Sequence, residues 1–269
     1  MARIIAFFNQ KGGTAKTTST LNVAAALAER DKRVLVLDLD PQASLTMALG
    51  VDVAALDASV YDLLLDESFG IADVTQPTGI ANIDIAPSHP DLAAAEMELL
   101  NVLERERQLD NRLRQADLGH YDFVLIDSPP ALNIISINIL VAIRELIIPI
   151  EPHPLSVMVL QRLFDTLGRT RRLNPTLEII GFLPTKVHHS SRLAVDMLST
   201  LETQFPELAL LPAIPLSVRG AESTAEQTSV LHYMPRSNVA NAYREVGSWL
   251  IGDMAASESA TVAEGAVNV

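Results

Sequence analysis

The sequence predicts an α/β protein: an open, doubly wound, mostly parallel sheet with helices on both faces. Three observations carry that expectation. Short apolar runs alternate with longer helical segments along most of the 269 residues, as in parallel strands joined by crossover helices. Hydrophobic residues make up 48% of the chain but aromatics only 4%, so the core must be Leu, Ile, Val and Ala, which suits helices laid on a buried sheet. A glycine-containing loop joins the first apolar run to the first helix, at the end of the sheet where such folds bind ligands.

Taken in order, Arg3–Asn9 (RIIAFFN) reads as a buried strand. Thr17–Arg30 reads as a helix with Leu21, Ala24, Ala25, Leu27 and Ala28 on one side, and Arg33–Asp38 as a second buried strand. Strand character returns at Tyr121–Asp127, Glu145–Ile150 and Leu177–Leu183, with the apolar segment Leu132–Ile143 between the first two. Helices are expected over Leu92–Gln115, Leu155–Arg171, Arg192–Thr203 and Asn238–Ile251, the charges of the first reading as a solvated face. Pro152-His153-Pro154 reads as a strand-to-helix turn. No repeat or internal linker is visible, so residues 1–252 are expected to form one domain. The tail 253–269 has no aromatic residue and is rich in Ala, Ser and Glu, a composition that predicts disorder.

Composition also excludes. With no cysteine, thiolate metal sites, iron–sulfur clusters and disulfides are out. No stretch approaches the roughly 18–20 apolar residues that span a bilayer, and Met1–Asn9 lacks a signal-peptide pattern, so a cytoplasmic protein is expected. The net charge of −13 is uneven. Residues 1–161 carry 22 acidic against 11 basic side chains, and residues 162–244 carry 7 against 9. A polyanion contact is therefore expected in the second half.

The chemistry is concentrated in Asn9-Gln10-Lys11-Gly12-Gly13-Thr14-Ala15-Lys16-Thr17-Thr18, between the first strand and the first helix. Free N–H groups at a helix N-terminus carry partial positive charge and favour phosphate. Gly12 and Gly13 permit a loop that brings those groups close. Lys16 supplies a mobile charge for the β- and γ-phosphates, and Thr17 a hydroxyl for Mg²⁺. Gln10 and Ala15 stand where an ordinary G-x-x-x-x-G-K-[ST] loop has its glycines. Two acids follow the second strand in Asp38-Leu39-Asp40-Pro41-Gln42, and the run Val124-Leu125-Ile126 ends in Asp127-Ser128-Pro129-Pro130. His188-His189 invites a metal reading, but adjacent side chains rarely aim at one ion, so a surface pair is expected.

The first motif matches K-G-G-x-x-K-T-[ST], and with the other two it resembles the deviant Walker A ATPases of the ParA/MinD family, closest to the ParA/Soj-type partition ATPases, over about residues 1–250. The resemblance implies a P-loop fold of the SIMIBI-like class. It makes Lys11, Gly12, Gly13, Thr14, Ala15, Lys16, Thr17 and Thr18 the nucleotide-binding loop, and ATP and Mg²⁺ the cofactors. It implies that Asp40 polarises the attacking water, that Asp38 supports the loop and metal shell, and that Asp127 holds Mg²⁺. The family usually has glycine where Ala15 stands. Ala213–Glu222 resembles the adenine-side loop, with Leu216 and Ser217 replacing the usual Arg-Asn and Pro215 the candidate for packing on adenine.

By the same resemblance, Lys11 reaches the nucleotide of a second copy in an ATP-dependent homodimer. Slow ATP hydrolysis then drives segregation of plasmid or chromosomal DNA. Non-specific DNA binding at the nucleoid falls to Lys186, Arg192, Arg219 and Arg236, each otherwise an ordinary surface cation. A ParB-like adaptor is the expected partner. The same motor positioning a protein cargo is the alternative. A MinD-like membrane-cycling regulator fits less well, because the chain ends GDMAASESATVAEGAVNV without a basic amphipathic helix. With the loop starting near residue 10, no helix-turn-helix domain is expected ahead of it.

Overall fold

In the computed structural model of the protein, residues 2–153, 156–188 and 191–267 are described. The expectations placed on Met1, Pro154, Leu155, His189 and the last two residues of the tail lie outside them. Eight strands form one sheet: β1 (Arg3–Phe7), β2 (Val34–Asp38), β3 (Gln76–Pro77), β4 (Ile83–Ala86), β5 (Phe123–Asp127), β6 (Glu145–Ile150), β7 (Glu178–Pro184) and β8 (Ala209–Leu210). Their order is β3-β4-β2-β5-β1-β6-β7-β8. Only the edge strand β3 runs antiparallel to its neighbour. Strands β3, β4 and β8 were not anticipated, because two to four residues are too short to show a period.

The five longer strands lie where the apolar runs predicted them. Side chains alternate between the faces, and each face has its own core. Leu35, Leu37, Ile126, Ile148 and Phe182 fill one side, and Phe7, Val36, Leu125, Ile147 and Tyr243 the other. Helix α1 (Lys16–Ala28) covers the second face with an almost unbroken alanine stretch, Ala24–Ala26. Small residues let helices approach closely: a Cβ added at Gly247, in the last helix, would lie 3.0 Å from the Cβ of Ala26. That helix runs Asn238–Val267, so the backbone is helical through a segment whose composition predicted disorder. The segment is also rich in alanine, the best helix former.

A second difference concerns residues 92–115. Two helices, Leu92–Glu98 and Gln108–Gln115, replace the single one expected. Glu104 lies in the left-handed region (φ 49°). The fully buried Asn138 stitches the break, accepting the Leu109 N–H (3.1 Å) and donating to the Arg105 carbonyl (2.6 Å). Gln108, Asp110 and Arg112 are buried rather than solvated.

Strand β1 lies between β5 and β6, so the chain winds outward in both directions from it. The carboxyl ends beside β1 form the crevice where such sheets take ligands.

Candidate functional site

The loop leaving β1 is anchored before it turns. Buried Asn9 donates from its side-chain amide to the Pro149 carbonyl (2.7 Å) and accepts the Lys11 N–H on its side-chain oxygen (3.0 Å). Gly13 (φ 75°) and Ala15 (φ 62°) are both left-handed, and this double turn aims the chain into α1. No side chain caps the start of α1, so its first N–H groups stay available to an anion. Gly12 rests against Pro130, which brings the turn after β5 to the loop.

Asp38 and Asp127 end adjacent strands and are register partners, both fully buried. Asp38 accepts the Thr46 N–H (2.9 Å), the Thr46 hydroxyl (2.7 Å) and the Asp40 N–H (3.2 Å). Thr46 is in turn fixed by the Ser88 N–H (2.9 Å), and the Ser88 hydroxyl donates to the Asp40 carbonyl (2.7 Å). Burial pushes the Asp38 carboxyl up to about 6, against these hydrogen bonds, which favour its charged form. Burial, and then the neighbouring Asp38, push Asp127 well above the usual carboxylate range; a hydrogen bond from Thr17 and the charge of Lys16 pull the other way. Lys16 is itself buried, and burial lowers its ammonium despite the opposing pull of Asp127 and Asp40. Asp40 is half-buried, one oxygen accepting the Gln42 N–H (3.0 Å).

Two adjacent buried acids facing one lysine are short of positive charge. One oxygen of Asp127 accepts the Ser128 N–H (3.1 Å), while Oδ2 has no partner. That orphaned oxygen, on the carboxyl that Thr17 also approaches, fits a hard cation, and so few buried carboxylates suit Mg²⁺, which is bound through one or two carboxylates rather than a full protein cage. Thr17, Asp38 and Asp127, assigned to the metal from the sequence, thus come together at one point.

Some contributors could not be foreseen. The Thr185 hydroxyl donates to the Thr14 carbonyl (3.1 Å) and the Lys186 ammonium to the Gly13 carbonyl (2.6 Å). Lys186, expected on a DNA-facing surface, is therefore tied to the phosphate loop, in a left-handed conformation (φ 54°). Its neighbour Val187 bridges to Pro215, and Gly220 packs near Thr18. The segment predicted to meet adenine thus lies alongside the phosphate loop. Of the other candidate DNA contacts, Arg219 is paired with Glu222 (2.7 Å), whereas Arg192 and Arg236 are exposed and without an ion pair among the described residues. His188 is exposed, and no group of three or more potential metal-ligating His, Asp or Glu occurs among the described residues. Lys11 is half-buried, and its ammonium makes no hydrogen bond or ion pair among them.

Residues 2–179 match the family described as an AAA domain. The sporulation initiation inhibitor protein Soj of Bacillus subtilis is 34% identical over 91% of this chain and 97% of its own length. The chromosome partitioning protein ParA of Myxococcus xanthus is 31% identical over 93% of this chain and 88% of its own. Among solved structures, the cobyrinic acid a,c-diamide synthase of Mycobacterium smegmatis with bound ADP and magnesium superposes with a TM-score of 0.81 at 33% identity, covering 93% of this chain and 94% of that one.

Proposed function

The chain belongs to the ParA/MinD family of deviant Walker ATPases, with ATP and Mg²⁺ as cofactors, and from that membership we propose that it is a ParA-type partition ATPase: two copies close on ATP, bind DNA without sequence preference, and hydrolyse the nucleotide slowly to segregate it. The observation that carries this reading is Lys11 in the phosphate loop, its ammonium without a partner among the described residues. The loop's own lysine, Lys16, is buried against Asp127 and Asp40. The Lys11 backbone shapes the loop, but its ammonium makes no hydrogen bond or ion pair among the described residues, which is what a side chain acting on a second copy's nucleotide would show.

Apolar surface around the rim supports a face that closes. Leu132 is 49% exposed two residues beyond Pro130, and Met97 is 71% exposed. The two segments are linked by a hydrogen bond from Asn133 to Glu96. Within the closed pair, Lys16 and the open N-terminus of α1 hold the triphosphate, and Thr17 with Asp127 and Asp38 holds the metal. Mg²⁺ held by these residues would supply positive charge to offset the negative charge that builds on the phosphate. Asp40 orients water, and Lys11 of the second copy meets the developing charge on the leaving oxygen.

DNA contact is assigned to Arg192 and Arg236, which are free to meet phosphates. The acidic first half suits a basic segment of a ParB-like adaptor. No helix among the described residues is long and apolar enough to cross a membrane.

Sizing the wild type and Lys16→Ala with and without Mg-ATP, then with plasmid DNA, tests the scheme. Nucleotide-dependent dimerisation followed by DNA retention, in the wild type alone, is expected. A wild type that stays monomeric with Mg-ATP would sink it.

A further inference from the structure

At the amino end of β5, opposite the phosphate site, a cavity of about 520 Å³ opens between the Gly70–Thr75 segment and residues 112–121. Arg112 lines it and is only 7% exposed. Its Nε donates to the Leu63 carbonyl (2.9 Å) and its Nη1 to the Glu67 carbonyl (3.4 Å), while Nη2 is buried without a partner. No carboxylate forms an ion pair with it among the described residues. Buried charges are paired, and buried donors are satisfied, in nearly all proteins. Here a permanent cation has two carbonyl dipoles and no ion pair among the described residues, only the more distant charge of Asp66. The orphaned Nη2 is a donor, so what is missing beside the guanidinium is an acceptor, and best a negatively charged one.

We propose that this cavity is a second ligand site, which takes a small molecule with one carboxylate or phosphate group for Arg112 and a compact apolar body. The volume lies within the range of small-molecule pockets. Ile71, Leu118 and the ring of Tyr121 supply an apolar wall. Gln115, Thr75, His120 and the acid Asp117 also line it, so Arg112 supplies the positive charge there and Asp117 the negative. Arginine suits either head group, because its planar fork meets both with paired hydrogen bonds. The site is separate from the nucleotide: Tyr121 precedes β5, while Asp127 ends it.

Calorimetry on the full chain, with the phosphate loop saturated by Mg-ADP, tests this using phenyl phosphate and benzoate, which share an apolar ring and differ in head group. One equivalent of at least one probe is expected to bind the wild type. Phenyl phosphate alone assigns a phosphate-bearing ligand, benzoate alone a carboxylate, and both support the site. Arg112→Gln should weaken binding by at least about tenfold. Arg112→Gln could fail to fold, so Ala72→Trp is the second variant. Ala72 is exposed on the cavity rim, and an indole there closes the opening without touching the core; it should weaken binding comparably with an unchanged circular dichroism spectrum. Absence of binding to the wild type, or binding that Ala72→Trp leaves intact, overturns the proposal.

Discussion

The two ends of the central strand β5 pose opposite problems. At its carboxyl end, Asp38 and Asp127 are buried acids with too little positive charge around them. At its amino end, Arg112 is a buried cation whose Nη2 has no partner and which forms no ion pair among the described residues. Removing a charge from water costs several kcal/mol unless it is paired, so a fold keeps such a group only where something offsets the cost. At the first end the missing partners are recognisable, since a phosphate loop, a lysine and a threonine hydroxyl surround the acids. At the second only the charge and a cavity remain. The comparison teaches that an orphaned buried charge marks where a ligand belongs, and that its neighbours decide how much of the ligand can be named.

The largest effects are expected where the carboxyl end is broken. Lys16→Ala removes the buried lysine of the phosphate site, and ATP affinity measured by calorimetry should fall by about 10³-fold, with turnover lost. Lys11→Ala should behave differently. Because the Lys11 ammonium has no partner among the described residues, ATP binding to the monomer should stay within a few-fold, while phosphate release in a steady-state assay falls by about 10³-fold, as for a charge supplied in trans. Equal losses of binding and turnover in Lys11→Ala would place that lysine in its own site and break the dimer scheme.

The uncompensated acids should also make the nucleotide-free protein sensitive to pH. A carboxyl raised to about 6 in the folded state holds its proton over a range where the unfolded chain, with an ordinary value near 4, has lost it. Between about pH 4 and pH 6 the folded state thus binds more protons, and stability falls as pH rises through that window. For Asp38 alone the loss is roughly 3 kcal/mol, and Asp127, also raised, carries the trend to higher pH. Urea midpoints at pH 5 and pH 8 should show it. Asp127→Asn should flatten the profile and stabilise the nucleotide-free protein at pH 8, while removing the stabilisation that Mg²⁺ gives to the ADP-bound form. A flat wild-type profile would mean that the acids are already compensated from within the chain.

How legible the two ends were in the sequence follows from the range of their interactions. β1, β2, β5, β6 and β7 were visible because strands buried on both faces are continuous apolar runs. The phosphate loop was visible because lysine, glycine and threonine lie within one short segment. Residues arriving from far along the chain were not: Thr46 and Ser88 orient the Asp38–Asp40 turn, and Lys186 crosses 173 positions to reach the Gly13 carbonyl. Arg112 was misread for a related reason. A charged residue in a charged segment looks solvated, and nothing local tells that Glu104 breaks the helix and that Asn138 then holds the second half inward.

The smallest expected effect tests whether the loop geometry at the carboxyl end belongs to the fold itself. Ala15 lies at φ 62°, ψ 33°, one residue before α1 begins. A left-handed alanine costs about 1–2 kcal/mol from the clash of its Cβ with the backbone. Glycine has no such clash but gains freedom in the unfolded chain, which returns part of the benefit. Ala15→Gly should therefore raise stability by about 0.5–1 kcal/mol, a shift of roughly 1–4 °C in Tm for a domain of this size. The loop is already held in shape through Asn9, Thr185 and Lys186, so ATP affinity should hardly change. A marked gain in affinity without a gain in stability would mean instead that the alanine holds the loop away from its binding geometry, and that nucleotide has to pull it in.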